Sequence, residues 1–198
     1  MRTGLLWLSD ETVAFLVRTS GNGGKWFLPQ AAGEQGEWNR VRRELEKAGL
    51  ALQGFDGKIH PIPKFSRMIY NLGHVGASLL LEREEGTRLY LRGPVDVLVL
   101  EKEREKEGWQ MALRSFYETC WEIRSLGEDF MPCRISIWEE GQAEPSGLCR
   151  TLASEDREKR IQELEECLAF FCRRRKEEDR SGLTEDALAG EAEEDVHI

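Results

Sequence analysis

The chain has 198 residues, of which 40% are hydrophobic and 33% charged, so it is long enough and apolar enough to bury a sizeable core. Its net charge of −9 argues against a general nucleic-acid coat, because phosphate binding needs clustered Lys and Arg. No apolar run reaches the roughly 18 residues of a membrane span, and the opening MRTGLLWLSDET has neither the apolar stretch of a secretory leader nor the acid-poor character of a transit peptide.

In chain order, 12–18 (TVAFLVR) is β-branched and aromatic and predicts a buried strand. The turn SGNGG at 20–24 should lead it back into a strand from Trp26. From Trp38 the apolar residues recur at Val41, Leu45 and Ala48, which predicts an amphipathic helix stopped by Gly49. Short strands are expected at 50–55 and 59–62, around an Asp56-Gly57 turn. A hairpin should pair 75–82 with 87–92, followed by a strand at 95–100.

A helix is read over 107–125 from the spacing of Trp109, Leu113, Phe116, Cys120 and Ile123, with its aromatic residues in the core. The stretch 134–138 (RISIW) alternates as a half-exposed strand does. Beyond 143 the character changes. AEPSG at 143–147 is loop chemistry, and 154–178 predicts a charged helix N-capped by Ser154. That helix carries one apolar stripe, Ile161, Leu164, Leu168 and Phe171, suited to docking on the domain or on a protein partner. Residues 185–198 hold six acids and no Lys or Arg, the composition of an unfolded tail.

The stretch 26–50, WFLPQAAGEQGEWNRVRRELEKAGL, carries the most chemistry. A W-x-L-P strand end, the loop Gly33-Glu34-Gln35-Gly36-Glu37, the helix segment Arg43-Glu44-Leu45 and a closing Gly49-Leu50 follow one another. This resembles the box of the Nudix family of diphosphate hydrolases, G-x5-E-x7-R-E-U-x-E-E-x-G-U with U aliphatic. In that family, carboxylates one helical turn apart converge on divalent cations that polarise a diphosphate and generate the attacking hydroxide. The resemblance implies an α+β fold, a Nudix-like mixed β-sheet sandwiched between helices, spanning 1–142. An added linker and amphipathic helix (143–180) and an acidic tail (181–198) lie outside it.

The departures are as informative. Gln30-Ala31 replaces the leading Gly-Gly, and five residues instead of seven separate Glu37 from Arg43. Counting from Glu44, the paired metal positions are Lys47 and Ala48. Counting back from Gly49 recovers Glu46 and Arg42, but it turns Glu44 into an aliphatic position. Glu46 lies about 200° around the helix from Glu44 and cannot share an ion with it.

The expectation is therefore a catalytically degenerate Nudix-like protein, without a cofactor, acting as a binding or structural subunit of an intracellular complex. A retained hydrolase would take Mg²⁺ or Mn²⁺ on Glu34, Glu37 and Glu44, with Arg43 and Glu44 as its catalytic residues. A non-cleaving nucleotide- or RNA-binding module would use the basic, aromatic-bearing segment around Lys58, His60, Lys64 and Arg67 for phosphate or RNA. The plain reading of that segment is a proline-stiffened surface loop. A protein partner is expected on the 154–178 helix, and no membrane. The five cysteines, odd in number and without CxxC spacing, read as reduced thiols in a reducing intracellular compartment, whether cytoplasm or organelle.

Overall fold

A computed structural model describes residues 6–22, 36–55, 59–126, 132–139 and 149–172. The chain runs through β1 (Leu6–Leu8), α1 (Asp10–Val17) with a π-helical turn (Arg18–Asn22), α2 (Glu37–Lys47), β2 (Ala51–Gln53), β3 (Ile59–Pro61) and α3 (Pro63–Gly73). It continues through β4 (Ala77–Glu82), β5 (Gly86–Arg92), β6 (Val97–Glu103), β7 (Trp109–Arg114), α4 (Phe116–Ser125), β8 (Cys133–Glu139), β9 (Cys149–Leu152) and α5 (Arg157–Phe171). No described helix is long and apolar enough to cross a membrane.

Among the described residues the architecture is α+β, with five α-helices about a seven-stranded sheet in the order β1-β7-β6-β5-β4-β8-β9. The expected mixed sheet gives way to one in which every pairing is antiparallel. The reason lies in the connections. Strands β4 to β7 are joined by the short turns 83–85, 93–96 and 104–108, and so short a link can only return a strand antiparallel to its neighbour. A separate small sheet pairs β2 with β3, where two short strands were expected.

Both faces of the large sheet are covered. On one, Val13, Val17, Val41, Leu45, Phe65, Met68 and Leu72 from α1, α2 and α3 meet Leu80, Leu89, Leu91, Leu98 and Leu100. On the other, Ile123 of α4 and Leu164, Cys167, Leu168 and Phe171 of α5 meet Leu79, Leu81, Tyr90, Val99, Ile135 and Ile137. Strand neighbours thus alternate between two cores, which is why the central strands read as nearly continuous apolar runs.

Four local readings are corrected. The stretch 12–18 is helical, 12–17 forming most of α1 and Arg18 opening the π-helical turn, because Ser9 caps the helix, accepting from the Thr12 N–H at 3.2 Å, while Asp10 and Glu11 complement its first turn. The span 107–125 splits into a strand and a helix. Trp109, Met111 and Leu113 alternate along β7, and a capping box then starts α4, with Ser115 and Glu118 bonding reciprocally. The segment read as a proline-stiffened loop contains α3, with Pro63 at its start and Phe65, Met68 and Leu72 on its buried face. Finally, 149–171, read as a linker and helix outside the domain, adds β9 to the sheet edge beside β8, while α5 docks on the sheet, one of the two places its apolar stripe was suited to.

The helix stop expected at Gly49 is present. Gly49 takes φ +67° just past α2, the left-handed geometry a helix stop needs. Gly108, at φ +86°, lets the β6–β7 turn lie against β1, where a Cβ would come 2.6 Å from the Leu8 carbonyl.

Candidate functional site

The helix that carries the Nudix-like residues, α2, lies antiparallel to α1, and its charged side chains form a seam between the two. At one end the Glu44 carboxylate accepts from the Ser9 N–H (2.6 Å), the Ser9 hydroxyl (2.5 Å) and the Thr12 hydroxyl (2.5 Å). One turn back along α2, Arg40 pairs with Glu11 at 2.6 Å. At the far end Glu37, only 4% exposed, is bound by the Arg18 guanidinium. Phe15 stacks on Trp38 at 5.5 Å between these contacts, with Arg18 over the Phe15 ring. The spacing 37, 40, 44 against 18, 11, 9/12 is that of two antiparallel helices meeting along one stripe each.

This seam decides what the box residues can do. Glu37 and Glu44 are separated by two helical turns, about 10 Å along the axis, and each points to a different end of α1. A divalent cation needs acids that converge with free lone pairs. Both Glu44 oxygens are engaged by Ser9 and Thr12, and Glu37 sits against a cation, so this pair does not fit such an ion. Arg43 is exposed on the outer face of α2, as is Lys47. Glu34, and the W-x-L-P entry before it, lie outside the described residues, as do Lys58, the tail from 173 onward and the loop at 143–147.

The basic segment is brought together only in part. His60 is exposed on β3, while Lys64 and Arg67 lie on α3 beside an open cleft shared with Arg114, Asp96, Ser115 and Glu118. Arg67 pairs with Asp96 at 2.5 Å. Glu118 already occupies the α4 N-terminus through the Ser115 N–H (2.9 Å) and hydroxyl (2.8 Å), which hold its carboxyl below the usual range. An incoming phosphate would meet acids of its own sign there.

The feature that sequence reasoning missed is the outer surface of α4 and α5. Tyr117 is 79% and Trp121 67% exposed, where both were expected in the core. The capping box at Ser115–Glu118 was the available signal. A helix beginning at 116 buries Thr119 and Ile123 and turns 117 and 121 outward. Facing them across a groove are Leu168 and Ala169 of α5. Tyr117, Cys120, Trp121 and Arg124 line one wall, and Glu165, Leu168, Ala169 and Cys172 the other. Both sets recur at i, i+3, i+4 and i+7, so each wall is one straight helix stripe two turns long.

The helices run antiparallel. Arg124 bonds Glu165 at 3.0 Å at one end, and the Cys120 and Cys172 sulfurs lie 3.8 Å apart towards the other. Beneath α4 its position is set by a half-buried charge cluster in which Arg88 bridges Glu101 and Glu122, with Arg114 also facing Glu122 at 3.5 Å. Burial, with Glu122 nearby, pushes the neighbouring Tyr90 hydroxyl up to about 12, so it stays neutral. Burial alone would depress the Arg88 guanidinium, but its hydrogen bonds to Tyr90 and Glu101 and the Glu101 charge more than offset it and the net shift is upward.

No protein-family model, curated protein or solved structure matches the chain.

Proposed function

We propose that this protein is a non-hydrolytic binding subunit that seats an amphipathic helix of a protein partner in the α4–α5 groove. The observation that carries the reading is the exposure of Tyr117 and Trp121 on a groove whose opposite wall is also apolar at Leu168 and Ala169. Exposed aromatic anchors beside small and aliphatic residues are the usual composition of a helix-docking surface. Two parallel stripes at i, i+3, i+4, i+7 leave space for a third helix to complete the layer. The α5 stripe read from the sequence as a docking face is the same helix turned inward, with Leu164, Cys167 and Phe171 packed on the sheet. The partner therefore meets the adjoining side of α5, which shares Leu168 with the inward stripe.

Charge selects the partner. The chain as a whole carries −9, and its residues 185–198 hold six acids and no Lys or Arg. A helix with an apolar stripe and Lys/Arg flanks is the complement, steered by that field. The seam between α1 and α2 supports the non-hydrolytic half of the reading, because it commits Glu37 and Glu44 to holding helices together.

The test is fluorescence anisotropy of a dye-labelled amphipathic Leu/Lys helix as probe, with sedimentation of the protein alone run beside it. Saturable binding should weaken by roughly tenfold or more in Trp121→Ala and in Tyr117→Ala. Trp7→Ala, which removes an exposed aromatic residue on β1, should leave it unchanged. Equal binding by Trp121→Ala overturns the proposal. So does a dimer of the free chain that Trp121→Ala dissolves, since the occupant would then be a second copy.

A further inference from the structure

All five cysteines are free, and their surroundings separate them into three kinds. Cys133 and Cys167 are buried in the core between the sheet and α5. Cys149 is exposed on the edge strand β9, where hydrogen bonds from Ser136 and Arg134 (3.5 and 3.3 Å) hold its thiol below the usual value. Cys120 and Cys172 form the third kind. They lie on different helices, partly exposed, with their sulfurs in contact at 3.8 Å in the wall of an open groove.

We propose that Cys120 and Cys172 form a thiol–disulfide modification site, closed by a hydroperoxide and reopened by a dithiol reductant. The placement is what a reversible bond requires. Forming a disulfide brings the sulfurs to about 2.05 Å, a closing movement of roughly 1.8 Å. Cys172 is the C-cap of α5, held to the helix by its N–H on the Leu168 carbonyl at 2.8 Å, so only the end of a helix has to adjust. The groove admits a small oxidant to both sulfurs, whereas Cys133 and Cys167 have no such access.

The order of events follows from the surroundings. Burial, and the neighbouring Cys172, push the Cys120 thiol in the middle of α4 up to about 12, and the attacking group is placed at the adjustable end of α5, on Cys172. Its thiolate displaces one peroxide oxygen. The O–O bond breaks, the departing hydroxide takes a proton to become water, and two electrons pass from sulfur to oxygen, leaving a sulfenic acid on Cys172. The Cys120 sulfur then attacks the Cys172 sulfur. The S–O bond breaks, hydroxide leaves with the Cys120 proton as a second water, and the S–S bond forms. In total two thiols and one hydrogen peroxide give one disulfide and two waters.

The bond would tie the C-terminal end of α5 to the middle of α4 and close a loop from 120 to 172 that contains β8, β9 and all of α5. It would also bridge the two walls of the groove towards one end. The chemistry itself does not depend on what the groove binds, and it is read with no peptide present.

The experiment uses the full chain carrying Cys149→Ser, so that the exposed thiol does not consume the oxidant. The protein is treated with hydrogen peroxide, alkylated with a maleimide, digested and mapped by mass spectrometry. The expected result is a linked Cys120–Cys172 peptide, loss of two hydrogens from the intact mass, and full reversal by dithiothreitol. The oxidised form should melt on the order of 10 °C higher. Cys120→Ser should stop at a Cys172 sulfenic acid that dimedone traps; if that variant fails to fold, the peptide map of the parent still decides. Recovery of both cysteines as maleimide adducts, their over-oxidation without a link, or crosslinks to Cys133 or Cys167 would overturn the proposal.

Discussion

Replacing Glu44 by alanine should destabilise this protein, and the size of the loss separates a helix-joining carboxylate from a metal ligand. The side chain accepts three hydrogen bonds, two from Ser9 and one from the Thr12 hydroxyl, and Thr12 is only 1% exposed. Hydrogen bonds to a charged group contribute about 1.5–3 kcal/mol each when removed singly. The Ser9 contacts are exposed and screened by water, so they count for less. The Thr12 hydroxyl, left buried without its acceptor, adds its desolvation penalty, and the sum is about 3 kcal/mol. For a chain of this size that lowers the melting temperature by about 6–12 °C. Urea titration and differential scanning calorimetry would measure it. Glu44→Gln, which keeps one carbonyl acceptor, should lose about half as much, and Arg43→Ala, on the exposed face, less than about 0.5 kcal/mol. Combining Glu44→Ala with Thr12→Val should cost less than the sum of the two alone. A Glu44→Ala protein as stable as the parent would refute the reasoning. So would a Mg²⁺-dependent rise in melting temperature that the substitution abolishes.

Two further expectations rest on other parts of the fold. Phe171→Ala empties a site that is 0% exposed, stacked on Phe116 at 6.4 Å, and should cost about 3–5 kcal/mol by chemical denaturation; a loss under about 1 kcal/mol would mean that α5 is a loosely attached extra. Glu118, its carboxyl held low first by the Ser115 N–H and then by the Ser115 hydroxyl, contributes stability that is present above its unfolded value of about 4.3 and is lost as pH falls through the lower folded value. The difference in melting temperature between the parent and Glu118→Gln should accordingly hold steady near neutrality and shrink on acidification. A difference that grows on acidification would reverse the sign of the argument.

How much of this was legible in the sequence depended on which force set each element. The α2 helix and its Gly49 stop, the 75–92 hairpin and the 134–138 strand follow from periodicity and turn chemistry, both local signals, and these appear close to where they were expected. Helix α1 was misread because TVAFLVR has strand propensity, whereas Ser9, Asp10 and Glu11 supply the helix start and the buried seam with α2 does the rest. The segment from Trp109 to Ile123 satisfies a helical spacing by coincidence across a strand–helix junction, and only the Ser115–Glu118 box reveals the break. The candidate site suffered most. Glu37, Arg43 and Glu44 form a recognisable local string, but the direction of each carboxylate is fixed by partners at Arg18, Ser9 and Thr12, which no spacing within 26–50 could disclose. The exposure of Tyr117 and Trp121 depends in the same way on which side of α4 the sheet lies.

The sheet tapers, and that bears on how the protein can associate. Its inner strands are six or seven residues long, but the described outer strands are short, three residues in β1 and four in β9. An incoming strand would find few unpaired backbone groups to zip onto at either margin, so edge-to-edge stacking, the route by which many β-rich chains assemble or aggregate, has little purchase on these described residues. Contacts made by side chains on helices are left as the easier way for another molecule to hold this one.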